Sequence, residues 1–249
     1  MNTFFRFVAL CSLLTIWPFS GQTKELKVGV GLLNYPPYYF EEEGAMKGAV
    51  LEVTQHIVDE LGHTLVFEKL PWSRIQHHLR LGSIDMVVLS FKTPDREKYA
   101  TFTDTPHIYD TSYLFIKKTS QIEFDGNLNN MRDYHFGNIR GYSHGIKYDE
   151  ANQLNKQFAS EEKQLIQMLL HNRIDVAIGN KAVITAHAKE EGVFEQLVFL
   201  NPPIDNTPAY FAFAKIKIGS NKLAHEFSEQ VKALVKTEKY QQILDKYGL

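Results

Sequence analysis

Cysteine is almost missing: the 249 residues hold one, Cys11. It sits inside an N-terminal segment expected to be removed, so the mature chain is expected to have none. That excludes a disulfide framework, a thiolate nucleophile and a cysteine metal site. Long apolar runs are missing too. Residues 7–19 are apolar but too few to span a bilayer, and no later segment has the length and apolarity of a membrane helix. There is no basic stripe. Lys and Arg number 27 against 29 Asp and Glu, interspersed along the chain, which argues against nucleic acid as a partner. No Walker loop, GxGxxG, HExxH or HxH occurs. The ten histidines are scattered, and His77 and His78, being adjacent, point different ways on a helix. Nothing therefore calls for a cofactor or a metal. Gly/Ser-rich and Pro-rich linkers are absent as well, so any two lobes are joined by short strands, not by a floppy tether.

What is present begins with the order of a secretory signal peptide: Arg6, then the apolar residues 7–19, then Ser20, Gly21, Gln22 and Thr23. We expect residues 1–23 to be a signal peptide, cut between about Ser20 and Thr23, and the mature chain to be periplasmic. Without Arg6, 26 basic residues face 29 acidic ones, a formal charge of −3. The remaining chain suits one large domain or two lobes of about 100 residues each.

Periodicity organises that chain. Residues 26–31 alternate as a strand, and 40–48 read as a hairpin turning at Gly44 with Glu41, Glu42 and Glu43 solvated at its tip. Val50, Leu51, Val53, Ile57, Val58 and Leu61 have helical spacing, ended by Gly62. Residues 64–70 form a strand, 73–81 a helix stopped by Gly82, and 84–89 a strand apolar enough to be buried on both faces. Thr93 is predicted to open a further helix. The second half repeats the order: a strand at 135–139, a helix from Ser160 to about His171, and a strand at 174–178. Ile84-Asp85 and Ile174-Asp175, 90 positions apart, each lie between a helix end and an apolar strand. This predicts an α/β protein with parallel sheets in two similar lobes. Residues 112–117 and 209–215 are apolar and predicted to cross between them. The last helix, from Leu223 to about Tyr247, returns to the first lobe. The expected division is 24–110 with 210–249 as lobe 1 and 111–209 as lobe 2, hinged near 108–114 and 204–212.

Three motifs carry candidate chemistry. In Ser90-Phe91-Lys92-Thr93-Pro94-Asp95-Arg96, Thr93 suits an N-cap and Pro94 the first helical position, leaving Arg96 beside free backbone N–H groups. A guanidinium and a helix N-terminus together favour a carboxylate, and this loop follows a parallel strand, where open α/β sheets bind ligands. Tyr35 and Trp72 follow neighbouring strands, so their rings belong at the same edge, suited to covering a ligand. Tyr39 and Phe40 are expected in the core. Gly141-Tyr142-Ser143-His144-Gly145 matches the G-x-S-x-G pattern of a hydrolase nucleophile elbow, though no HGGG-type loop precedes it. The same spelling suits a hydroxyl donor to a bound ligand.

Taken in order, Leu26-Lys27-Val28-Gly29-Val30, Tyr35-Pro36-Pro37-Tyr38, Gly48 with Glu52, Pro71-Trp72, Ile84-Asp85, Thr93-Pro94-Asp95-Arg96 and Phe102-Thr103-Asp104 resemble extracellular solute-binding proteins of family 3. Gly141-Tyr142-Ser143, Arg173-Ile174-Asp175 and residues 240–248 continue the resemblance, which covers 24–249. It implies a type II periplasmic-binding-protein fold: two α/β lobes, a two-stranded hinge and a ligand cleft between them. It implies that Arg96 binds a ligand carboxylate, Tyr35 and Trp72 pack on the ligand, and Tyr142 and Ser143 add hydrogen bonds. Its partners would be a small molecule and a membrane permease or sensor; a monomer is expected on separate grounds, because no exposed apolar helix stripe is evident in the sequence. Three positions depart from the pattern. Asn180 stands where the family has an acid for the ligand's ammonium, Leu32 replaces an acid of the first loop, and Phe91 replaces a small hydroxyl residue beside Ser90. An enzyme using Ser143 and His144, and a sensor with a degenerate cleft, stay open alongside a transport receptor.

Overall fold

The computed structural model describes residues 23–249, so Cys11 and all but the last residue of the expected signal peptide lie outside the described residues. The chain runs β1 (Glu25–Gly31), β2 (Phe40–Glu42), β3 (Ala45–Lys47), α1 (Ala49–Glu60), β4 (Thr64–Leu70), α2 (Trp72–Leu81), β5 (Met86–Phe91), β6 (Ala100–Phe102), β7 (Ile108–Lys117), β8 (His135–Ile139), α3 (Ile146–Asp149), β9 (Asn155–Ala159), α4 (Glu162–Leu170), β10 (Val176–Asn180), α5 (Lys181–Glu190), β11 (Leu197–Phe199), β12 (Asp205–Ala214), α6 (Ser220–Leu234) and α7 (Glu238–Tyr247). Among the described residues, no helix is long and apolar enough to cross a membrane.

The main sheet has the order β4-β1-β5-β12-β7-β10-β8-β9. At one end β1 lies parallel between β4 and β5. At the other, β8 lies parallel between β9 and β10. Between them β12 and β7 run antiparallel to their neighbours and to each other, residues 205–209 opposite 108–112. The result is two βαβαβ units linked through two long strands: the α/β, two-lobe architecture that the alternation of elements implied, and the type II fold that the family resemblance implied.

The repeated Ile-Asp pair explains why each unit closes. In the first, Asp85 Oδ2 accepts from the Lys27 N–H at 2.9 Å, while its own N–H donates to Lys27 O at 2.8 Å. In the second, Asp175 Oδ2 accepts from the His135 N–H at 2.8 Å and its N–H donates to His135 O at 2.9 Å. Each aspartate thereby fastens the first strand of its unit, β1 or β8, to the turn before the third. The isoleucine beside it packs on a glycine of that strand. A Cβ at Gly29 would come within 2.7 Å of Ile84 Cδ1, and one at Gly137 within 2.3 Å of Ile174 Cδ1. Both glycines are needed because the helix and the turn residue press onto the strand there. The apolar strands after them are buried on both faces: Met86 and Val88 in one core cluster and Val87 in another, Val176 and Ile178 in a third and Ala177 in a fourth.

Four expectations change. The two Ile-Asp strands begin two residues later than their apolar runs, because Ile84-Asp85 and Ile174-Asp175 form the clamps. Thr93 opens no α-helix; a 3-10 turn over Arg96–Lys98 is followed at once by β6, whose buried Ala100 and Phe102 pair with β12. Tertiary pairing there overrides the capping signal. The cap of α4 is Glu161, one residue later than expected, with Ser160 bonding the Gln164 side chain instead. The last helix is two, since Thr237 accepts from Tyr240 N–H at 3.2 Å and caps a fresh start for α7.

Candidate ligand-binding cleft

Arg96 sits where the two units meet. Its side chain is 7% exposed. Nη1 donates to Phe91 O of the first unit at 3.0 Å and Nη2 to Gly141 O of the second at 3.2 Å. Two of its five donors are thus accounted for. Trp72, the first residue of α2, donates from Nε1 to the same Gly141 carbonyl at 3.0 Å. The guanidinium carbon lies 5.5 Å from the Trp72 ring centroid, within cation–π range. Burial pulls the Arg96 pKa below its ordinary value; a guanidinium remains charged regardless. No helix N-terminus assists it, because the following turn is only three residues long.

Around Arg96 opens a cleft with about 440 Å³ of space, counting its mouth. It is lined by Tyr35, Tyr39, Trp72, Leu89, Phe91 and Arg96 from the first unit and by Tyr142, Ser143 and His144 from the second, with Asp110 and Ser112 of β7 at its back. The aromatic rings interlock: Tyr35 and Tyr142 centroids are 6.2 Å apart, and Trp72 and Tyr142 are 6.0 Å apart, both edge-on. Tyr142 is anchored from behind, its hydroxyl donating to Glu162 Oε1 at 3.1 Å. Burial drives the pKa of Tyr35, Tyr142, Glu162 and Asp110 upward.

Of the predicted residues, Tyr35, Trp72, Phe91, Arg96, Tyr142 and Ser143 come together here. Ser90 does not. It lies within β5 opposite Tyr210, and strand alternation turns it away from the face that Leu89 and Phe91 present. Asn180 lies behind the cleft in a second, smaller cavity with Tyr35, Tyr142 and Glu162. Its side chain is committed: Oδ1 caps α5 through Val183 N–H at 3.1 Å, and Nδ2 donates to Tyr38 Oη at 2.9 Å and Asp110 Oδ1 at 2.7 Å. Leu32 is 52% exposed and lines neither cavity. Tyr39 is buried as expected, yet also walls the cleft.

Ser143 and His144 do not pair with each other. The Ser143 hydroxyl donates to Asp149, whereas His144 Nδ1 lies 3.0 Å from Ser112 Oγ. Burial holds His144 neutral, with its pKa lowered to about 3. A serine bonded to an aspartate and a histidine engaged elsewhere lack the nucleophile–base contact of an acyl-transfer site. Among the described residues, no group of three or more His, Cys, Asp or Glu is arranged to hold a metal.

Sequence reasoning missed Asp110, Ser112 and Leu89, and weighed His144 only as a catalytic partner of Ser143. The first two did leave a signal. In β7, Asp110 and Ser112 are buried while Tyr109 and Thr111 are more exposed, so two polar residues at period 2 occupy the inward face of a crossing strand.

Comparison with known proteins agrees with this fold. The sequence profile of bacterial extracellular solute-binding proteins, family 3, matches residues 26–249. The chain belongs to that family. It is 20% identical over 226 residues to a probable amino-acid-binding protein, YxeM, of Bacillus subtilis strain 168, covering 89% of this chain and 83% of that one. Among solved structures it is similar to a histidine kinase sensor domain related to periplasmic binding proteins, with a TM-score of 0.77, 23% identity, and coverage of 91% and 96%. It is also similar to an ancestral arginine-binding protein bound to arginine, with a TM-score of 0.74, 20% identity, and coverage of 90% and 97%.

Proposed function

We propose that this family 3 protein is a periplasmic receptor that captures a small carboxylate-bearing ligand, an amino acid or related organic acid, and performs no chemistry on it. The observation that carries the reading is Arg96: a buried guanidinium at the junction of both units, with donors to spare, inside an aromatic-walled cleft. A planar fork in a desolvated site recognises a carboxylate bidentately. We take residues 24–110 with 210–249 as one lobe and 111–209 as the other, closing about strands β7 and β12. A ligand that touches both lobes only when they are together drives that closure by its differential affinity. The bound form is then read by a membrane permease of the ABC type or by a sensor; the relatives' names include both an amino-acid-binding protein and a kinase sensor domain.

The test is a thermal-shift screen of residues 24–249 against amino acids, organic acids, amines and sugars, with Arg96→Ala in parallel. A ligand at about 100 times its Kd adds roughly 2.7 kcal/mol, an easily seen shift. We expect a carboxylate to stabilise the wild type and not Arg96→Ala. A hit indifferent to Arg96 refutes the carboxylate reading.

A further inference from the structure

Asp110 is the acid of the cleft. It is 2% exposed, borders the same cavity as Arg96, and stands on the crossing strand β7. Its two oxygens accept from neutral groups: Oδ2 from the Tyr35 hydroxyl at 2.8 Å and Oδ1 from Asn180 Nδ2 at 2.7 Å. Among the described residues, no cationic side chain pairs with it. A carboxylate has about four acceptor positions, so about two remain. An unpaired buried charge is costly, and β7 needs no acid here to form its ladder.

We propose that Asp110 is the seat of the ligand's positive charge, so that the cleft selects a molecule bearing both an amine and a carboxylate. This rests on the reading of Arg96 as the carboxylate site and deepens it. The acid expected at position 180 is an asparagine, and that asparagine is spent on orienting Asp110 and capping α5. The negative charge therefore enters the cleft from the hinge strand rather than from the start of α5. Tyr35 holds Asp110 through its hydroxyl while its ring walls the cavity, and the Tyr142 ring stands 6.2 Å away. Aromatic faces beside an acid suit an ammonium group. Arg96 and Asp110 then give the ligand a direction as well as a charge pattern.

The experiment measures binding of the common L-amino acids, each paired with the carboxylic acid lacking its α-amino group, to wild type, Asp110→Asn, Asp110→Ser and Arg96→Ala. The wild type is expected to prefer the amine-bearing partner by roughly 10- to 100-fold, the worth of a charged hydrogen bond. Asp110→Asn is expected to bring that ratio within about threefold of one, and Arg96→Ala to lose both partners. Asp110→Asn is nearly isosteric; if it fails to fold, Asp110→Ser and the wild-type ratio decide. Equal wild-type affinity for both partners overturns the proposal and leaves the carboxylate reading standing. A preference that survives in both Asp110 variants also overturns it. Should no carboxylate bind the wild type, alkyl monoamines and α,ω-diamines separate the two ideas. Amine binding that disappears in Asp110→Asn upholds Asp110 while the carboxylate reading falls, and no amine binding overturns both.

Discussion

At the scale of the residue, buried titratable groups set this protein's response to acid. His107 is fully buried and stacked on Phe211, ring centroids 3.9 Å apart. Burial lowers its pKa from 6.5 to about 3. The unfolded chain takes up that proton near pH 6.5 while the folded chain does not. His107 thus contributes stability above pH 6.5 that is lost progressively as pH falls from 6.5 to 3, at about 1.4 kcal/mol per pH unit. His107→Phe keeps the ring and removes the titration. In urea titrations at pH 6.5 and 5, the wild type is expected to lose about 2 kcal/mol more than this variant. Parallel pH curves for the two would show that His107 is protonated in the fold. Asp110 and Glu162, whose pKa values burial raises, act in the opposite sense: their contribution is present at low pH and lost as pH rises through the raised value.

At the scale of the element, the two Ile-Asp clamps share a geometry but not a setting. Asp85 is 5% exposed and, besides the Lys27 N–H, it holds the ammonium groups of Lys24 at 3.0 Å and Lys217 at 2.7 Å. Burial pushes its pKa up, but Lys217, the Lys27 N–H and Lys24 together pull it below the ordinary value. Asp175 is 43% exposed at the side chain and, among the described residues, has only His135 as partner, through the N–H and, at 3.1 Å, through Nδ1. Asp85→Ala is therefore expected to cost about 2–3 kcal/mol and Asp175→Ala about 1 kcal/mol. Chemical denaturation of both variants checks the ranking, and equal losses would mean that the lysines around Asp85 add nothing. The repeat itself was visible as two short strings in the sequence. What each string does was not, because its bonds run to strands 58 and 40 residues earlier.

For the whole molecule, closure is the property to measure, and the chain carries its own reporter. Its two tryptophans are Trp17 and Trp72, and Trp17 falls in the expected signal segment. In a preparation of residues 24–249, Trp72 is the sole tryptophan, and its indole N–H bonds Gly141 across the cleft. Ligand binding is expected to change the intensity or wavelength of its emission, with the same midpoint as the calorimetric isotherm. Saturation by calorimetry without any change in emission would refute ligand-driven closure at this junction.

Order and spacing along the chain were enough for the α/β class, the two-unit repeat, the crossing strands and the family, since these follow from periods and punctuation within about a dozen residues. That Arg96, Tyr35, Trp72, Phe91, Tyr142 and Ser143 lie together was also legible, because each ends or follows a strand at one edge of the sheet. The tertiary structure decided the rest. It turned Ser90 away through strand parity, replaced the helix expected after Thr93 by a turn and the strand β6, and committed Asn180 to Asp110 and Tyr38. It alone brought Asp110 to the cleft of Arg96. A side chain's partners are set by which distant strands pair beside it, and that pairing is a property of the assembled sheet, not of any local stretch of chain.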